Sequence, residues 1–124
     1  MLAYIKFAEL PVLDQDRAVA FYTDKLGLQV VQDAPYQEGW RWIELALPGA
    51  QTRLLLTRQR EEKDLDAPRL VLVVESVEVR YRQLCDKGVL FTQAPTRAPW
   101  KPDDLFAQFR DSEGNGIVIS EAWD

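Results

Sequence analysis

Apolar positions along the chain change period several times, and each change marks an element. From Tyr4 to Val12 they alternate, which predicts a strand with Leu10 and Val12 on one face and Phe7, Glu9 and Pro11 on the other. At Asp14 the period lengthens. Ala18, Val19, Tyr22 and Leu26 then form a helical stripe, with Phe21 at its edge. Asp14 is a competent N-cap, and Gly27 suits the left-handed stop. Leu28 to Gln32 predicts a short strand and Asp33 to Gly39 a polar loop. Trp40 to Ala46 alternates, with Ile43 and Leu45 inward and Trp42 and Glu44 outward. Pro48 and Gly49 turn the chain, and Thr52 to Thr57 returns antiparallel.

The same series then recurs. Arg69 to Glu75 reads as a strand, and Ser76 as a cap. Val77, Tyr81, Leu84 and Cys85 share one helix face, which places the Cys85 thiol in the packed layer. Gly88 ends the helix and Val89 to Gln93 is a strand. Ala94 to Asp104 holds three prolines and Trp100, and reads as a long loop. Leu105 to Asp111 alternates with Ala107 and Phe109 inward. Ser112 to Gly116 forms a hairpin turn in which Asp111, Gly114 and Asn115 do turn chemistry, and Ile117 to Trp123 closes the chain. DQDRAVAFYTDKLG and SVEVRYRQLCDKG align, so that Asp16 falls on Glu78, Tyr22 on Leu84 and Gly27 on Gly88. The chain is therefore an internal repeat of about 60 residues. The fold class is α+β, with two βαβββ modules: module one 1–57, a charged linker 58–68, and module two 69–124. Two helices cover only one face of such sheets. The other face is a cleft or an interface.

Composition narrows the function. The net charge of −5, with scattered acids, argues against nucleic-acid binding, which needs basic patches. Cys85 is the only cysteine, so no intrachain disulfide forms. No signal-peptide pattern and no apolar run of membrane-spanning length is seen, which leads to the expectation of a cytoplasmic protein with no membrane contact.

Three stretches carry a family resemblance: VLDQDRAVAFYTDKLGL, VVESVEVRYRQLCDKGV and FRDSEGNGIVI. With these the chain resembles the vicinal oxygen chelate superfamily, which includes glyoxalase I, extradiol dioxygenases and the fosfomycin- and bleomycin-resistance proteins. The resemblance implies paired modules that curl a mostly antiparallel sheet into a cup with helices outside, in a homodimer. It also implies a divalent metal held by histidines on the first strand of each module and a glutamate on the last. Counted from the motifs, those positions are Phe7, Arg69 and Val118, with Leu54, Leu55 and Leu56 on the equivalent strand of module one. There is no histidine in the chain. A phenyl ring and alkyl groups cannot ligate, and a guanidinium repels a cation. The expectation is no metal and no cofactor.

Candidate chemistry is thereby confined to the face without helices. Glu9 and Glu44 are candidates for acid–base work. The plainer reading is solvated carboxylates or ion pairs with Arg41, Arg69 or Arg110. Trp40, Trp42, Trp100 and Phe106 are placed to stack on a flat ligand or to cage a cation, with core or interface packing as the alternative. Gln108 adds a polar contact, and Phe7, Arg69 and Val118 line the same face. The expected function is a metal-independent small-molecule binder, its aromatic or cationic ligand held in an aromatic cup or dimer groove, with the bleomycin-resistance proteins as the analogy. The alternatives are a lyase, isomerase or dioxygenase-like enzyme using Glu9 and Glu44 or an unusual metal site, and an interaction module whose open face receives a partner subunit.

Overall fold

The structure is a computed structural model describing residues 1–59 and 68–122. The element order is β1 (Phe7–Val12), α1 (Gln15–Asp24), β2 (Gln29–Gln37), β3 (Trp40–Ala46), β4 (Arg53–Arg58), β5 (Pro68–Val74), α2 (Val77–Asp86), β6 (Phe91–Ala98), β7 (Lys101–Arg110) and β8 (Gly116–Glu121). The chain divides into two compact units, Met1–Glu62 and Lys63–Asp124. Each holds a four-stranded mixed sheet, ordered β1-β4-β3-β2 in the first and β5-β8-β7-β6 in the second. The repeat read from the sequence is thus a repeat of topology. In each unit the first strand pairs parallel with the last, and the other pairings are antiparallel.

In the first unit the Asp14 carboxylate accepts from the Arg17 amide and starts α1. Gly27, at φ +76°, takes the left-handed conformation that stops it. Leu10, Val12, Ile43, Leu45, Leu54 and Leu56 are buried on the sheet face that also receives Ala18 and Tyr22. Arg41 marks the same face. It shares strand parity with Ile43 and Leu45, and its guanidinium reaches Asp16 on α1. Alternation along β3 therefore puts Trp40, Trp42 and Glu44 on the opposite face.

The second unit repeats this logic. Ser76 Oγ accepts from the Val79 amide, and the Glu121 carboxylate on β8 accepts from the Val77 amide. Two of the orphan donors of α2 are satisfied in this way. Val77 and Leu84 are buried, and Tyr81 of α2 meets Phe91 edge to ring, with Phe109 tilted against Phe91. Ala107 and Phe109 are fully buried, as their alternation predicts. The Asp111 carboxylate accepts from the Glu113 and Asn115 amides and from the Asn115 side chain, so the DSEGN segment does turn chemistry as expected.

Three expectations fail. The polar loop at Asp33 to Gly39 is mostly strand. β2 runs to Gln37, and only Glu38 and Gly39 turn. The long proline-rich loop at Ala94 to Asp104 is also a hairpin, since β6 extends to Ala98 and β7 begins at Lys101. Pro35 and Pro95 lie in β2 and β6, which are edge strands, beside irregularities in register. An edge strand tolerates a residue without an amide hydrogen. Cys85 is exposed, not packed. It lies one turn after Tyr81, and its charge and hydrogen bond hold the Tyr81 hydroxyl above its ordinary pKa. Most of the expected linker 58–68, and the end of the last strand at Trp123, fall outside the described residues.

Candidate functional site

On the face of the first sheet opposite α1, alternation gathers Phe7, Glu9, Trp42, Glu44, Arg53 and Leu55. Phe7 on β1 is the register partner of Arg53 on β4, while Glu9 and Glu44 are both partners of Leu55. The side chains close over this lattice. Trp42 stands at the centre, edge-on to Phe7 at 5.9 Å between ring centroids and to Tyr36 at 5.2 Å. Its indole Nε1 donates to Glu44 Oε2 at 2.8 Å. The other Glu44 oxygen, Oε1, accepts from Arg53 Nη1, also at 2.8 Å.

One carboxylate therefore fixes both an aromatic ring and a guanidinium. The Trp42 hydrogen bond, followed by the Arg53 hydrogen bond and charge and by Lys6, holds the Glu44 carboxyl below its ordinary range against the opposing effect of burial. A carboxylate so stabilised is a poor general base near neutral pH. The Glu44 partner is Arg53, and not Arg41, Arg69 or Arg110 as the plainer sequence reading had it. Arg41 is engaged with Asp16 and Asp33, which push its pKa further up.

Trp40 differs from Trp42. The Arg58 guanidinium lies over its ring at 4.8 Å and donates to the Gly39 carbonyl, so one face of Trp40 is already covered. The Lys6 ammonium stands 5.6 Å from the centre of the Phe7 ring.

The second sheet brings another group of the expected residues together. Gln108 and Val118 are register partners, as are Val71 and Val118. Phe106 lies two residues from Gln108 on the same face and meets Trp100 at 5.1 Å. Trp100 itself is 71% exposed, whereas Val118 is 4% exposed and offers a ligand almost no surface. Arg69 is exposed beside an irregularity at the start of β5. A depression of about 250 Å³ on α2, lined by Glu75, Ser76, Val79, Arg80 and Gln83, includes none of these residues.

The metal positions implied by the resemblance can be tested on the same geometry. The Phe7 ring packs on Trp42, Leu55 lies between Glu9 and Glu44 in the ladder, and Val118 is buried. Among the described residues no group of three or more His, Cys, Asp or Glu side chains is placed to hold a cation. This donor set does not fit the metal centre of the resembled enzymes.

Sequence reasoning missed Arg53, Tyr36 and Gln15. Strand parity with Leu55 was the available signal for Arg53. Tyr36 was hidden by the loop assignment. Gln15 gave no signal. It is a buried polar residue whose amide donates to the Arg41 carbonyl at 2.7 Å and accepts from the Arg41 amide at 3.1 Å. It clamps the backbone between Trp40 and Trp42 from the helix side.

Comparison with known proteins places these observations. The sequence model of the Glyoxalase/Bleomycin resistance protein/Dioxygenase superfamily matches residues 4–119. The uncharacterized protein YurT of Bacillus subtilis is 35% identical over 119 residues, covering 87% of this chain and 91% of its own. Among solved structures, UcmS2 has a TM-score of 0.81 at 31% identity, covering 98% of this chain and all of its own. TnmS3, an antibiotic binding protein from Streptomyces sp. CB03234, has a TM-score of 0.83 at 27% identity, with 98% of each chain covered.

Proposed function

The chain belongs to the Glyoxalase/Bleomycin resistance protein/Dioxygenase superfamily, and from that footing we propose that it is a small-molecule-binding protein that holds a flat aromatic ligand against Trp42 without a metal ion. The observation that carries the reading is the anchoring of Trp42 by Phe7, Tyr36 and the Glu44 carboxylate. An indole fixed at both ring and nitrogen is preorganised, so little side-chain freedom is lost when a ligand stacks on it. Of the two ligand classes expected, aromatic is favoured over cationic, because Lys6 and Arg58 already occupy the cation sites over Phe7 and Trp40. The description of TnmS3 as an antibiotic binding protein is consistent with this class of function. Carboxylate catalysis has less support, since Glu44 is committed to Trp42 and Arg53.

Calorimetric titration of a panel of planar aromatic compounds tests the proposal. Saturable binding is expected, unchanged after exhaustive chelation. Trp42→Leu, which removes the indole but keeps an apolar side chain, weakens it by about tenfold or more. Binding that survives Trp42→Leu intact, or that requires a divalent cation, overturns the reading. The homodimer belongs to the same proposal, and a monomeric mass in sedimentation at micromolar protein would remove it.

A further inference from the structure

The open face of the first sheet carries a polar reader beside its aromatic wall. Arg53 projects from β4 next to Phe7, its register partner, and is tied through Glu44 to Trp42. The guanidinium has three nitrogens and five N–H donors. Among the described residues its only side-chain partner is Glu44, reached through Nη1. The Arg53 side chain is 46% exposed, whereas that of Glu44 is only 12% exposed. The carboxylate is thus the buried orienting group, and the guanidinium offers its remaining donors outward. Such a fork, fixed at one end, is suited to receive an acceptor oxygen in the plane it defines.

Charge does not by itself select an anion here. Lys6 and Arg53 are balanced on this patch by Glu44 and by Glu9 in the neighbouring register row. Direction decides instead, because the donors of Arg53 are aimed while its charge is partly neutralised. We propose that Arg53 is a specificity-determining residue that reads an acceptor oxygen, a carboxylate or a ring carbonyl, on the aromatic ligand stacked at Trp42. This inference rests on the small-molecule reading above and adds the chemical class of the ligand.

Three probes of one ring system separate the two claims: naphthalene-2-carboxylate, 2-acetylnaphthalene and 2-ethylnaphthalene. For the unaltered protein the oxygen-bearing probes are expected to bind about tenfold more tightly than the ethyl compound, the magnitude of one charge-assisted hydrogen bond. Arg53→Met abolishes that preference: whatever the variant does to the affinity for the ethyl compound through Glu44 and Trp42, the three probes then bind alike. Arg53→Lys keeps a cation for Glu44 but loses the fork. It carries the test if Arg53→Met fails to fold, and the preference then falls by about threefold or more. Trp42→Leu weakens all three probes alike. Carboxylate bound ahead of ketone assigns an anionic oxygen, and equal binding assigns a neutral acceptor; both support the inference. A preference that persists in folded Arg53→Met and Arg53→Lys, or equal affinity for all three probes in the unaltered protein, overturns the role of Arg53 while leaving the small-molecule reading in place. Failure of every probe to bind the unaltered protein overturns both.

Discussion

The indole nitrogen of Trp42 donates to the carboxylate of Glu44, two residues further along the same strand face, at 2.8 Å. An i, i+2 pair on a strand shares a face, so this contact ties an aromatic residue to a charged one within a single strand. It also makes the charge state of Glu44 a property of the folded protein. Its pKa is depressed on folding, first by Trp42 and then by Arg53. The sign follows directly. The folded state favours the ionised carboxylate, so the associated stability is present above the pKa of the unfolded chain and is lost as pH falls through the folded value. Glu44→Gln is expected to cost about 1–2 kcal/mol at pH 7, the value of charge-assisted hydrogen bonding to Arg53. The gap between variant and parent should shrink as the pH is lowered below about 4, under the ordinary glutamate range. Denaturant melts at pH 7 and pH 3 check this, and an equal gap at both would contradict the depressed carboxyl.

A second prediction concerns the other side of the same strand. Gln15 forms two hydrogen bonds with the Arg41 backbone, where a neighbouring strand would otherwise satisfy it. Gln15→Leu keeps much of the volume and leaves the Arg41 amide and carbonyl with no such partner. The expected loss is about 2–3 kcal/mol. Hydrogen exchange at the Arg41 amide should accelerate by more than global destabilisation explains. Uniform acceleration across the core would mean that Gln15 acts only through packing.

The sequence was most informative where one face is apolar and the other is not. Ile43 and Leu45, like Ala107 and Phe109, announce the strands that carry them, and the caps at Asp14 and Ser76 fix where the helices begin. Edge strands were hidden, because β2 is exposed along most of its length and alternation has little to act on. Pro95 and Pro102 read as breaks, yet Pro95, like Pro35, lies on an edge strand. Pro102 opens β7 ahead of Phe106, where the β8 pairing begins. In the aromatic half of the candidate site Phe7 and Trp42 were legible from strand parity, and Tyr36 was not, because its stretch read as a loop. Of the polar half, Arg53 left only its strand parity with Leu55 as a signal, and Gln15 left none, since it meets the Arg41 backbone by packing of helix on sheet, 26 residues away.

The closing hairpin of the second unit yields a third prediction. The Asp111 carboxylate accepts three hydrogen bonds, and both Asp111 and Asn115 are buried. Asn115→Asp removes the side-chain donor and sets two carboxylates against each other. Asp111→Asn keeps the shape but replaces an ionised acceptor with a neutral one. We expect Asn115→Asp to be the more damaging, by about 2–4 kcal/mol, and to recover partly at acid pH as one carboxyl protonates. Thermal melts of the two variants at pH 7 and pH 4 test the order. Equal losses that do not respond to pH would show that the turn is held by its backbone alone.

The fourth prediction follows from the correction at Cys85. The helical pattern placed it with Val77, Tyr81 and Leu84, but the four positions span more arc than the buried stripe of α2, whose buried members are Val77 and Leu84. Cys85 lies beyond its edge and is exposed. A maleimide should therefore label the native protein to one equivalent without denaturant, because reaction does not wait for unfolding. The labelled protein should keep its melting temperature, as the added group projects into solvent rather than into the layer of Phe91 and Phe109. Labelling that occurs only in denaturant, or that lowers the melting temperature by several degrees, would return Cys85 to the packed face that the 3.6-residue period first assigned to it.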